Sequence, residues 1–397
     1  MGSGSLFSYS IGKRDTARLQ YEMTASFSFI GIVTIVMNIV VFVCMKPILN
    51  ILQIPEDIYG MMQEYVWYIF WGIFFVFLYN YFSFLLRAAG DSVVSLVFLG
   101  ISSGLNIVLD LVFIIAFQMG APGAAYATVI SQGVSGLLCL VYIVRKVPEL
   151  HLHKEDWRVN WDLARWQMKI GFPMAFQYSI TAIGTIVVQA SLNILGSVAV
   201  AGFSAANKIE QLFNQAYVAL GTTMATYCAQ NMGAGELDRI RKGFRSGNGI
   251  GIIYAVVTGA VVFFAGKYMT GLFVSENVGV ITNYVDIYLK CVGISFIPLV
   301  FVNVYRNGIQ GMGYGFLPMT AGIAELIGRS GAALLASRVG SYAGICMASP
   351  VAWVLAGGLL IVMYLWIMKQ QEKRRKPKEV QLSLIHISEP TRRSYIS

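Results

Sequence analysis

The chain has 397 residues, 56% of them hydrophobic and 12% charged, with a formal net charge of +9. So apolar a composition at this length excludes a soluble enzyme or regulatory domain. The positive charge is spread over short loops between apolar runs, which excludes the soluble basic domain of a nucleic-acid binder.

Ten stretches are candidate membrane crossings: 24–44, 65–86, 93–118, 122–144, 168–193, 198–231, 246–266, 284–305, 315–337 and 344–368. Each is long enough for a bilayer core, which takes roughly 20 apolar residues of helix. Nine are plainly apolar. The stretch 198–231 is long and carries Lys208 and Glu210. An all-α polytopic membrane protein with about ten complete transmembrane helices is therefore expected. Most of the 29 basic residues cluster at 13–18, Arg87, 145–169, 239–245, Arg306 and 369–378, which alternate with the weakly charged loops holding Lys46, Lys267 and Arg338. The positive-inside rule places the first set and the C-terminus in the cytoplasm.

Cysteines and histidines add no site. Cys44, Cys139, Cys228, Cys291 and Cys346 are scattered through apolar segments without metal-ligand spacing, and read as packed thiols. His151 and His153 sit in a basic loop without ligand partners around them. No GxxxxGK[ST] or HExxH motif occurs, so direct ATP hydrolysis is not expected.

The chain repeats itself. Ser10–Asp15 resembles Asn231–Glu236, Leu86–Gly90 resembles Ile309–Gly313, and Gly120–Ala125 resembles Gly340–Ile345, each at an offset of about 220 residues. The halves share an in–out direction, so an axis along the membrane normal should relate them. The expected organisation is an N-terminal lobe at 1–144, a cytoplasmic linker at 145–166, a C-terminal lobe at 167–369 and a basic tail at 370–380. Far fewer residues precede Gly12 than precede Gly233 in its own half. One whole crossing and most of another are therefore expected upstream of Met1. Residues 381–397 read as an adapter-derived, non-native tail and carry no functional argument.

Ionisable side chains inside apolar helices are functional hypotheses by default. Asp110 follows a long uncharged run, and Asn106 is one turn earlier on the same face. Thr128, on the next crossing, can add a hydroxyl. Such oxygens suit Na⁺, and a desolvated carboxylate can instead hold a proton; a helix–helix hydrogen bond fits equally well. Glu325 and Arg329 are an i,i+4 pair, readable as a structural ion pair or as a substrate or proton contact. Asn207, Lys208, Glu210, Gln211, Asn214 and Gln215 make 198–231 polar, so it must face water, a cavity or protein. Gln177, Gln189 and Asn193 give 168–193 a polar face. Asp286 and Lys290 should pair near an outer helix end. Pro173, Pro298, Pro318 and Pro350 can bend their helices.

These residues resemble the multidrug and toxic compound extrusion (MATE) transporters. The likeness is carried by Leu86-Arg87-Ala88-Ala89-Gly90-Asp91, Asn106-Ile107-Val108-Leu109-Asp110, Gly120-Ala121-Pro122-Gly123-Ala124-Ala125-Tyr126-Ala127-Thr128, Gly171-Phe172-Pro173-Met174, Gln230-Asn231-Met232-Gly233-Ala234-Gly235 and Gly311-Met312-Gly313, and covers residues 1 to about 368. It implies two six-helix lobes, a monomer, a bacterial inner-membrane location and cation-coupled antiport of amphipathic drugs, with Na⁺ or H⁺ as coupling ion and no other cofactor. Asn106, Asp110 and Thr128 match the fifth- and sixth-helix residues of the cation site found in many bacterial members. The first-helix Asp of that site has no counterpart, and Gln177 to Thr181 lacks the seventh-helix acid of some members. Gln177, Asn207, Glu210, Glu325 and Arg329 are the expected polar contacts of the substrate cavity. Two rival readings are a lipid-linked oligosaccharide flippase, which should show a strongly basic cavity, and an inactive transporter fragment.

Overall fold

The computed structural model describes residues 2–51, 56–151, 161–272 and 278–388. Among these there is no strand, and helices follow one another in chain order. Lipid offers no hydrogen bonds to an open backbone, so a spanning chain of this composition must satisfy its amides within helices. The helices are α1 (Gly2–Gly12), α2 (Thr16–Ile51), α3 (Glu56–Ala88), α4 (Ser92–Leu111), α5 (Gly120–Lys146), α6 (Trp161–Asn193) and α7 (Ser197–Gly233). They continue as α8 (Leu237–Ala265), α9 (Val278–Gly293), α10 (Phe296–Gly311), α11 (Phe316–Arg338), α12 (Tyr342–Cys346) and α13 (Ala348–Ser388).

Each predicted crossing coincides with helix. Among the described residues, seven helical stretches are long and apolar enough to cross a bilayer, or eight if α9 and α10, bent by 53° at the break between them, count as one. The predicted crossing 284–305 is thus two helices. α7 and α11 fall outside this set because charged and amide side chains lower their hydropathy. On α2, Ile32, Val36, Ile39 and Val43 are exposed, a face suited to lipid.

The chain divides into two compact units, Met1–Gly171 and Phe172–Ser397. The first has an aromatic-rich core around Phe7, Met23, Phe77, Tyr81, Phe82 and Leu86. The core of the second draws on α6 to α13 and includes Tyr217, Ile240, Phe244, Val285, Phe296 and Val300. At the α9–α10 break the backbones of α8 and α9 nearly touch: a Cβ on Gly259 would lie 2.7 Å from the Gly293 carbonyl oxygen.

The sequence repeat reappears as a repeated turn. After α1, Arg14 N–H donates to Ile11 and Asp15 N–H to Ser10. After α7, Gly235 N–H donates to Met232 and Glu236 N–H to Asn231. After α3, Gly90 and Asp91 donate to Arg87 and Leu86; after α10, Gly313 and Tyr314 donate to Gln310 and Ile309. All four turns carry a positive φ at the first donor, Arg14, Gly235, Gly90 and Gly313, the usual way of ending a helix.

Arg306, counted with the cytoplasmic loop clusters, lies inside α10 and is ion-paired. Pro298, Pro318 and Pro350 are each the third residue of α10, α11 or α13, where no intrahelical donor is needed, and Pro298 directly follows the 53° break inside the predicted crossing 284–305. Pro173 alone of the four is interior. In the predicted linker, residues 152–160, including His153, lie outside the described residues, as do 389–397 of the predicted tail. The His151 ring N–H donates to the Val144 carbonyl at 2.9 Å.

Candidate functional site

α4 carries Asn106 and Asp110 one turn apart, both half-buried. The helix is fixed to α5 by Ser102, whose hydroxyl donates to the Ser131 carbonyl at 2.7 Å. Asp110 Oδ1 and Asn106 Nδ2 are shielded from solvent and have no hydrogen-bond partner among the described residues. A side chain that merely locked two helices would have its partner here. Thr128 lies on α5, and its hydroxyl donates to the Ala124 carbonyl at 3.0 Å. The structure thus brings Asn106 and Asp110 together, and records no hydrogen bond between them and Thr128. A carboxylate oxygen, an amide and a hydroxyl on adjacent helices are hard donors that suit Na⁺; the carboxylate alone suits a proton.

Immediately after Asp110, α4 widens into a π turn at Val112–Ala116. Phe117 N–H donates five residues back to Val112 at 3.0 Å. Phe113 of this turn packs where α5 begins, 3.0 Å from the position of a Cβ on Gly123. π turns inside α-helices are frequent at functional sites.

The second unit holds a separate polar core. Glu325, 3% exposed, receives Arg329 Nη2 at 2.6 Å and Arg306 Nη2 at 2.5 Å on its two oxygens. The expected Glu325–Arg329 pair therefore forms, with Arg306 as a third member. Gln177, also 3% exposed, accepts at its carbonyl oxygen from Gln310 Nε2 at 3.0 Å. Gln211 donates to Asn207 at 2.7 Å, Asn207 donates to the Tyr288 hydroxyl at 3.3 Å, and that hydroxyl donates to Glu210. The five expected cavity residues therefore sit in three hydrogen-bonded groups within one unit. Asp286 and Lys290 pair as expected, at 2.6 Å.

The MatE family model matches residues 1–112 and 173–328. The chain belongs to the MatE family. Similar curated proteins include the probable multidrug resistance proteins YpnP and YoeA of Bacillus subtilis. YpnP is 30% identical over 66% of this chain and 58% of its own length. YoeA is 26% identical over 70% of this chain and 62% of its own length. The multidrug export protein MepA of Staphylococcus aureus is 24% identical, covering 81% of this chain and 72% of its own. The chain thus spans about three fifths of the length of the two Bacillus relatives. Among solved structures, an outward-facing multidrug resistance MATE transporter superposes with a TM-score of 0.88, at 20% identity, over 94% of this chain and 83% of that one. The Vibrio cholerae transporter VcmN in its bent form gives 0.81, at 19% identity, over 93% and 84%. These structures share the MatE fold, and the chain is an all-α, multi-pass membrane protein of a transporter family.

Sequence reasoning missed Arg306, Tyr288 and Gln310 as members of the polar core. Each meets its partner from another helix, 19, 78 and 133 residues away, and linear spacing carries no such signal.

Proposed function

We propose that the chain forms the larger part of a cation-coupled exporter of amphipathic organic compounds working by alternating access, with Asn106 and Asp110 as the coupling site and Thr128 beside it. The supporting observation is the shielded, unpartnered Asp110 carboxylate oxygen in a membrane-spanning helix. Family membership and relatives named for multidrug resistance support the class of cargo. A coupling ion drives export only if it binds one conformational state better than the other. An orphaned carboxylate can make that difference, because Na⁺ or H⁺ relieves its isolation.

The solute contacts are assigned to Gln177, Asn207, Glu210, Glu325 and Arg329. The proposed location is the bacterial cytoplasmic membrane, as a monomer with a cytoplasmic C-terminus, in line with the bacterial relatives and the basic clusters. The testing variant is Asp110→Asn in the full-length transporter. Gradient-driven drug efflux should fall to the level of cells lacking the protein, with drug binding to the purified protein retained. Efflux at wild-type rates in Asp110→Asn would overturn the coupling role.

A further inference from the structure

The cluster of Arg306, Glu325 and Arg329 has one guanidinium more than neutrality needs. Arg329 answers Glu325 from one turn away on the same helix. Arg306 arrives from α10 and takes the second carboxylate oxygen. Arg329 is 7% exposed, so its charge lies away from water. Bringing a second cation to a carboxylate already neutralised costs desolvation without a matching gain. Arg329 alone would serve a need for local neutrality.

The hydrogen bonding points the same way. A guanidinium has five N–H donors and no acceptor. The Nε atoms of Arg306 and Arg329 are both shielded and unpartnered among the described residues. On the side of α6, the neighbour of Arg329 is Gly184, where an added Cβ would lie 3.3 Å from Arg329 Cδ; no side chain approaches from that position. Arg306 keeps 16% of its side chain accessible, so the cluster is open on the α10 side. A second carboxylate whose field reaches Arg329 is Glu210 on α7, already engaged by the Tyr288 hydroxyl.

We infer that Arg306 and Arg329 form an anion-binding site, taking a carboxylate or phosphate group carried by an amphipathic solute, with Glu325 as the fixed counter-charge that orients both forks. The inference rests on the export reading for the nature of its solute. Planar guanidinium forks match such anions in geometry as well as charge. An ionised Glu210, whose field reaches Arg329, has the same sign as the anion, so its charge should weaken binding.

The test uses the full chain in phosphatidylcholine nanodiscs, titrated with a dansyl-labelled carboxylic acid and, as charge control, dansylcadaverine. The acid should bind. Arg306→Gln should weaken it by roughly tenfold or more, the worth of one charge-assisted hydrogen bond, and Arg306→Lys should recover only part of the loss. Glu210→Gln should tighten it, the opposite sign. A purely structural cluster would lose binding in both variants or change in neither. The inference falls if the acid binds no better than dansylcadaverine, if Arg306→Gln leaves its affinity unchanged, or if Glu210→Gln weakens it. Should Arg306→Gln not fold, Arg306→Lys and Glu210→Gln carry the decision. Adding phosphatidylglycerol to the disc assigns the source. Competition with the acid that disappears in Arg306→Lys supports a lipid phosphate, and no competition supports a free solute. Equilibrium binding needs no ion gradient, so these outcomes are independent of efflux by Asp110→Asn.

Discussion

Asp15 shows how much one side chain can do at a helix start. Its carboxylate accepts from the Arg18 backbone N–H at 3.1 Å and from Lys13 Nζ at 3.4 Å, capping the first turn of α2. The Arg18 amide, more than the Lys13 charge, holds the carboxyl below its ordinary value of 3.8. A carboxyl depressed in the folded state stabilises at every pH above its unfolded value and loses that contribution as pH falls through its own lower one. Hydrogen exchange at the Thr16–Arg18 amides should therefore speed up in Asp15→Ala at neutral pH, and in the wild type only under acid. Equal protection of these amides in both proteins at neutral pH would remove the cap. At this scale the site was partly legible. Asp110 stands out in a linear reading because it interrupts an uncharged run, and Asn106 follows from helical spacing. Arg306 did not stand out: five residues before the end of its helix, it read as a basic residue of a loop.

Among elements, the tightest approach joins α10 to α7. A Cβ on Gly311 would collide with the backbone carbonyl of Ala225, and backbone cannot move aside as a flexible side chain can. Gly311→Ala should destabilise the purified protein by about 1–3 kcal/mol, the usual cost of overpacking, seen as a lowered thermal midpoint in detergent. An unchanged midpoint would mean that the two helices slide apart freely. Helix existence was legible throughout, since apolar runs of bilayer length admit little else. The break between α9 and α10 was legible in part, because it falls one turn before Pro298, singled out as able to bend its helix. It falls at Gly293, where α8 presses its own backbone against the chain, and a tertiary contact of that kind has no trace in hydropathy. Pro318 shows the limit of that signal: residue type gives the capacity to bend, whereas a place in the first turn of α11 removes the need.

Across the whole molecule, short glycine-bearing motifs repeated about 220 residues apart predict a common plan, and the matching turns after α1 and α7, and after α3 and α10, bear it out in hydrogen bonds. The departures from the plan were invisible in sequence. α11 ends in the plain turn at Gly340, with Ser341 N–H on the Ala336 carbonyl, whereas α4 ends through the π turn at Val112–Ala116. A π turn is an α-helix holding one residue too many. The matching end of α11, at Gly340, has no such turn. Reversing the π turn is a simple experiment. Removing Ile115 should restore α-helical phase and rotate Asp110 by about 100° relative to the chain that follows. The shortened protein should still insert and bind drug, and should lose gradient-driven efflux as Asp110→Asn does. If it exports normally, the extra residue is neutral, and the direction in which Asp110 faces is set elsewhere.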